Sequence, residues 1–176
     1  MRFFTVICST FSRRTCHRKR RQNMGEREEK LAALGFEISD APKASGLYTP
    51  VVVDGDSAYA SGMVPFEQGS LKYSGKVPSE VSVEEAGKAA ALCAANLLRV
   101  FIRDVGPLER IERLIKVTGF VNSDADFTEQ HVVMNGASQL FIDVLGEAGK
   151  HARSAVGMVN LPIGATVEVE IIAKLR

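Results

Sequence analysis

Side chains with chemistry of their own are few and scattered in this sequence. The cysteines are Cys8, Cys16 and Cys93, and none forms a Cys-x-x-Cys pair. Neither a disulfide framework nor a thiolate metal centre is expected, and Cys93 reads as core filling. His17, His131 and His151 lack any ligand spacing such as His-Glu-x-x-His, so no metal site is expected. No Gly-x-Gly-x-x-Gly occurs, and five residues rather than four separate Gly69 from the Gly75-Lys76 pair of a would-be phosphate loop. Dinucleotide and ATP chemistry are disfavoured. What remains is charge in a periodic setting. Val167, Val169 and Ile171 alternate with Glu168, Glu170 and Ile172, which puts two carboxylates on one face of a strand.

A chain of 176 residues, 45% hydrophobic and 24% charged, must position these groups, and that is the size and balance of one compact domain. No apolar run reaches the roughly 18 residues that would span a bilayer, so no membrane partner is expected. Residues 1–23 hold seven lysines and arginines and no acid, whereas from Met24 onward 15 basic residues face 21 acidic ones, a formal charge of −6. Residues 24–176 therefore offer no electrostatic attraction to a polyanion, and no nucleic-acid partner is expected. The basic extension, with Ser, Thr and the apolar Phe3, Phe4, Val6 and Ile7, has the composition of a mitochondrial presequence. The competing reading is a cytoplasmic form that starts at Met24.

The order of elements is legible from periodicity and punctuation. Glu26 to Leu34 is a short helical pattern closed by Gly35, and Ala41 to Pro50 is a loop. Val51-Val52-Val53 and Ala58-Tyr59-Ala60 flank Asp54-Gly55-Asp56-Ser57, which has the chemistry of a hairpin turn; a short strand is expected at Ser70 to Tyr73. Ser82 and Glu85 form a capping box ahead of Val83, Ala86, Ala90, Cys93, Leu97, Val100 and Phe101, a long helix that Gly106-Pro107 ends. Ile111 to Asn122 reads as a buried strand, and Val133 to Leu145 as a second helix. A long hairpin is expected last, with Arg153 to Asn160 paired to Thr166 to Lys174 about a Leu161-Pro162-Ile163-Gly164 turn. This order predicts an α+β domain in which two helices cover one face of a largely antiparallel sheet. The opposite face, apolar and acidic by turns, is expected to meet another subunit or water.

The tail from Ala152-Arg153-Ser154-Ala155-Val156-Gly157 through Asn160-Leu161-Pro162-Ile163-Gly164-Ala165 to Thr166-Val167-Glu168-Val169-Glu170-Ile171 closely resembles the C-terminal signature of the YjgF family, the reactive intermediate deaminases known as RidA. Tyr48 in Gly46-Leu47-Tyr48, the strand ending Ser61-Gly62, the capped helix from Ser82 and Lys116-Val117-Thr118-Gly119-Phe120-Val121 follow in that family's order. The resemblance covers nearly all of residues 24–176. It implies a chorismate-mutase-like fold, a homotrimer with a central barrel and ligand clefts between neighbouring subunits. It also implies hydrolysis of reactive enamines or 2-imino acids to 2-oxo acids and ammonia, without a cofactor.

That chemistry suits the residues at the matching positions. Arg153, always charged and able to donate two parallel hydrogen bonds, would hold the substrate carboxylate. Glu168 would hold and polarise the attacking water. Tyr48 would line the cleft, and backbone groups near Gly62 and Ala155 would hydrogen-bond the substrate. Asn135, at the entry to the second helix, offers an amide that either caps that helix or binds substrate. With β-hairpin pairing across the tail, Arg153 and Glu168 should lie roughly 17 Å apart along the strands, so each site should take Arg153 from one subunit and Glu168 or Tyr48 from a neighbour, unless a bulge alters the register. Duller readings compete: Arg153 as an ion-pair partner of Glu168 or Glu170, Glu168 as a solvated strand residue, and Tyr48 as packing. The chain also departs from well-known relatives. Ala155 stands where they carry a cysteine, Met63 follows Ser61-Gly62 where they often carry glutamine, and the segment from Phe127 to Phe141 is longer by about one helical turn. Two other activities stay open, a non-catalytic trimeric module for a small carboxylate or a protein, and the endoribonuclease or translation-inhibitor activity attached to parts of this family.

Overall fold

A computed structural model describes residues 24–43 and 46–176. The basic extension, and with it the presequence reading, Cys8, Cys16 and His17, lies outside the described residues. Helix α1 (Glu26–Ala33) ends at Gly35, whose φ of +90° suits glycine. Strands β1 (Val51–Asp54) and β2 (Ser57–Met63) form the expected hairpin around Gly55. A second small hairpin, β3 (Phe66–Glu67) with β4 (Ser70–Leu71), takes the place of the single strand expected at Ser70 to Tyr73. Helix α2 (Val83–Asp104) opens on the Ser82–Glu85 capping box, both halves of which form. Strand β5 (Ile111–Asn122), helices α3 (Gln130–Val133) and α4 (Asn135–Leu145), strand β6 (Ala152–Met158) and strand β7 (Val167–Leu175) complete the order.

The five-stranded sheet runs β1-β2-β7-β5-β6, and all its pairings are antiparallel except β5 with β6. Helices α2 and α4 cover one face, as the sequence pattern indicates. Small residues on α2 (Ala86, Ala89, Ala90, Cys93, Ala94) are fully buried and let the helix lie close on the strands. The two helices cross where Gly136 meets Gly87: a Cβ at Gly136 would stand 2.0 Å from the Gly87 carbonyl oxygen. The thiol of Cys93 fills core volume 3.5 Å from the Val167 carbonyl, and burial pushes its pKa well up.

The final hairpin is corrected. β6 and β7 are not neighbours; β5 lies between them, with Phe120 opposite Glu168 on one side and Val156 on the other. The reason is the preceding connection. β5, the α3–α4 segment and β6 form a strand-helix-strand unit, which returns the chain parallel to β5 at the sheet edge. The segment expected as a tight turn carries a 3-10 turn at Pro162–Gly164 and crosses the end of β5, where Asn122 N–H donates to Thr166 O at 2.9 Å. β7, buried at every second residue, is thereby central, while β6 stays more exposed at the edge.

Candidate functional site

Arg153 occupies the edge strand β6 and shares a sheet face with Val117, its partner on β5, which is fully buried beneath the helices. The arginine therefore reaches toward α3 and α4. What holds those helices there is Gly119: a Cβ at that position would lie 2.2 Å from the sulfur of Met134, the fully buried residue that joins α3 to α4. With Met134 seated, Asn135 and Ser138, three apart on one helix face, present their oxygens to the guanidinium. Arg153 Nη1 donates to Asn135 Oδ1 at 3.1 Å and to Ser138 Oγ at 2.9 Å, and Nη2 donates to His131 O at 2.9 Å. Every one of these acceptors is neutral. Among the described residues Arg153 forms no ion pair, which removes Glu168 and Glu170 of the same chain as its partners. Burial lowers its pKa from the usual value, and no carboxylate acts against that shift. Asn135 does not cap α4, whose N-cap is Met134; its amide oxygen serves the arginine. Ala155 follows two residues along the same face, packed in part against the core.

Glu168 lies on the other face. It alternates with the buried Val167 and Val169 and points to the side of the sheet that no helix covers among the described residues. Its carboxylate bends over Gly62, at which a Cβ would stand 1.8 Å from Glu168 Oε1. Register slips between β2 and β7 from Ala60 to Met63, and that irregularity, together with the missing side chain, makes the room. Burial, and then the neighbouring Glu170, pushes the Glu168 carboxyl above the usual carboxylate range. Tyr48 lies at this end of the sheet. Two residues further on, Pro50 O accepts from Ser61 N–H at 2.8 Å, so the Tyr48 loop runs beside Ser61-Gly62. The Tyr48 side chain is 46% exposed and hydrogen-bonds neither Arg153 nor Glu168.

Five of the six residues thus fall into two groups on opposite faces, Arg153, Asn135 and Ala155 on one and Glu168 and Gly62 on the other, with the Tyr48 loop beside Ser61-Gly62. The pairing of Val117 with both Arg153 and Ile171 puts Arg153 about 10 Å along the strands and about 10 Å across them from Glu168. The corrected register leaves the two apart within one chain, through faces and strand order rather than through hairpin length. A cleft of about 470 Å³ opens near the end of β6, lined by Lys76, Ser123, Asp124, Phe127, Gln130 and Met158 among others, and it holds none of the six. Lys76 Nζ donates there to Asn122 Oδ1 at 3.2 Å and to Val159 O. Ser138 and His151, which touch the arginine group, carried no signal in the sequence beyond the helical spacing of Asn135 and Ser138.

An α+β sheet with one helical layer, an arginine seat at its edge and a crowded carboxylate on its bare face defines a chorismate-mutase-like domain. The chain belongs to the family whose model reads "YjgF/chorismate_mutase-like, putative endoribonuclease", which residues 28–175 match. It is 37% identical over 147 residues to the Trypanosoma cruzi protein TCP17, covering 83% of this chain and 92% of that one. The crystal structure of Atu1372 from Agrobacterium tumefaciens, a protein of unknown function, is 44% identical, covers 85% of this chain and 92% of its own, and has a TM-score of 0.78. A Shewanella oneidensis protein with the endoribonuclease label is 29% identical, with coverage of 86% and 100% and a TM-score of 0.82.

Proposed function

We propose that this protein hydrolyses reactive 2-imino acids, and the enamines in equilibrium with them, to 2-oxo acids and ammonia, in clefts that neighbouring copies form together in a homotrimer. The observation that carries this reading is the seat of Arg153: a half-buried guanidinium held by three neutral acceptors, with no carboxylate against it among the described residues. An arginine kept in that state is matched to an anion from outside the chain, and a planar carboxylate fits its fork. Glu168 supplies the other half. Its raised pKa makes it a stronger base than an ordinary carboxylate and lets it return a proton.

In this mechanism the substrate carboxylate lies on Arg153 of one subunit and its imine carbon faces Glu168 of the next. Glu168 takes a proton from water as the oxygen bonds to the carbon of the protonated imine and the C=N π electrons go to nitrogen, giving a neutral carbinolamine. Glu168 returns that proton to the nitrogen, an oxygen lone pair forms the C=O bond as the C–N bond breaks, ammonia leaves a 2-oxo acid, and the hydroxyl proton passes to the Glu168 carboxylate. No step needs a thiol, so Ala155 is compatible with turnover; the smaller side chain changes the room beside the substrate. Backbone groups near Gly62 and Ala155, with Tyr48, would frame it. RNA cleavage is disfavoured by the −6 charge of residues 24–176 and by the adjacent Glu168 and Glu170, which repel phosphate.

The test is ammonia and 2-oxo-acid release from freshly generated 2-iminopropanoate and 2-iminobutanoate. Wild-type protein should accelerate it, and Arg153→Ala should lose at least about a hundredfold in kcat/KM, the value of two hydrogen bonds to a charged group. No acceleration by folded wild-type protein would overturn the reaction. Binding of a 2-oxo acid without turnover would make the same seat that of a metabolite-binding module.

A further inference from the structure

Arg153 is not held by its direct acceptors alone. Ser138 Oγ, which accepts from Nη1, also lies 3.0 Å from His151 Nε2, and His151 Nδ1 lies 2.6 Å from the carbonyl oxygen of Gly149. A carbonyl can only accept, so Nδ1 carries a proton. In the neutral imidazole Nε2 is then a lone pair, and the single proton of Ser138 must point at it. The serine oxygen thereby turns its lone pairs to the arginine. Arginine to serine, serine to histidine and histidine to carbonyl form one chain of donors in a single sense. Burial, against the Gly149 carbonyl, lowers the His151 pKa and the nearby guanidinium lowers it further, so the neutral form this chain requires is the favoured one. Arg153 is the charged group on β6 that acts on the ring. From α4 it meets the neutral Ser138 and, edge to face, Phe141 at 5.8 Å; in the turn before it Glu147 and Lys150 pair with each other at 2.7 Å.

We propose that Ser138 and His151 are positioning residues for substrate binding: they fix the guanidinium so that both Nη1 donors and one Nη2 donor are used inside the chain, and the adjacent Nε–H and remaining Nη2–H face the incoming carboxylate. This rests on the reading of Arg153 as the carboxylate seat. Nothing in the resemblance of the tail assigns either residue.

The experiment compares wild type, Ser138→Ala, Ser138→Thr, His151→Gln and Arg153→Ala as full chains, by calorimetric binding of 2-oxobutanoate and by kinetics on 2-iminobutanoate. Ser138→Ala should weaken 2-oxobutanoate binding and raise KM about tenfold, the worth of one hydrogen bond to a charged group. Its kcat should stay within about twofold, because the reacting atoms are untouched. Ser138→Thr, which keeps the hydroxyl, should restore affinity, and His151→Gln should resemble the alanine variant. In wild-type protein, nitrogen-15 spectra should show neutral His151 protonated at Nδ1, with a pKa that rises in Arg153→Ala. Wild-type affinity in Ser138→Ala, or a proton on Nε2, overturns the positioning role while leaving the carboxylate seat standing. Unchanged affinity in Arg153→Ala overturns the seat itself.

Discussion

The two halves of the candidate site are built in opposite ways. Around Arg153 the serine hydroxyl, both histidine nitrogens and the asparagine oxygen find partners inside the chain, and the charge has no counter-ion among the described residues. Around Glu168 the chain supplies crowding: a bare glycine beneath the carboxylate, a second acid beside it and no ion-pair partner among the described residues. One half is a guanidinium held by neutral acceptors, and the other is a carboxylate whose pKa burial and a neighbouring acid push up. A single subunit keeps them on opposite faces, so the proposed reaction would need a second copy to bring the two halves together.

The largest expected effect tests the base. Glu168→Gln should lower kcat by about 10² to 10⁴, the usual range for losing a general base. Its stability at neutral pH should hold or rise. A carboxyl whose folded pKa is raised stabilises below the ordinary carboxylate range and loses that contribution as pH rises through its folded value. A fall in melting temperature would instead make Glu168 a structural residue. The second test asks whether the halves come from different chains. Arg153→Ala and Glu168→Gln, each nearly inactive, should regain about one quarter of wild-type activity when unfolded and refolded as an equimolar mixture, the statistical share of sites with both native residues. No recovery would place both residues in one chain's site. Gly136→Ala probes the frame rather than either half. Its methyl would meet the Gly87 backbone, and parting α2 from α4 should cost about 1–3 kcal/mol in a denaturant melt. The smallest effect sharpens the account of Glu168. Activity should fall as pH drops through its raised pKa, and Glu170→Gln should move that acid limb down without abolishing its elevation, since burial, the larger cause, remains.

Local patterns in the sequence carried the elements well: the Ser82–Glu85 box, the helical spacing from Val83 to Phe101 and the Asp54-Gly55 turn all appear where expected. Strand partnership did not follow, because it is a long-range matter. Arg153 to Asn160 and Thr166 to Lys174 look like the arms of a hairpin, and only the helical segment between β5 and β6 decides that β5 enters between them. The site was legible to the same degree. Arg153, Glu168 and Gly62 could be named from a motif, but their division between two faces depends on that strand order. The contact of Ser138 with His151 depends on where α4 settles, which Gly119 and Met134 govern from outside any motif.

The position of β7 bears on how the chain acquires its structure. It follows every other strand in sequence yet pairs with both β2 and β5, joining residues as distant as Ser57 and Lys174. Until it arrives, β1–β2 and β5–β6 are separate pieces with open edges, and the apolar side of α2 has no finished sheet to rest on. Assembly therefore waits for late synthesis, is slow for a domain of this size because its contacts are non-local, and presents the longest interval of exposed strand edges just before the chain closes.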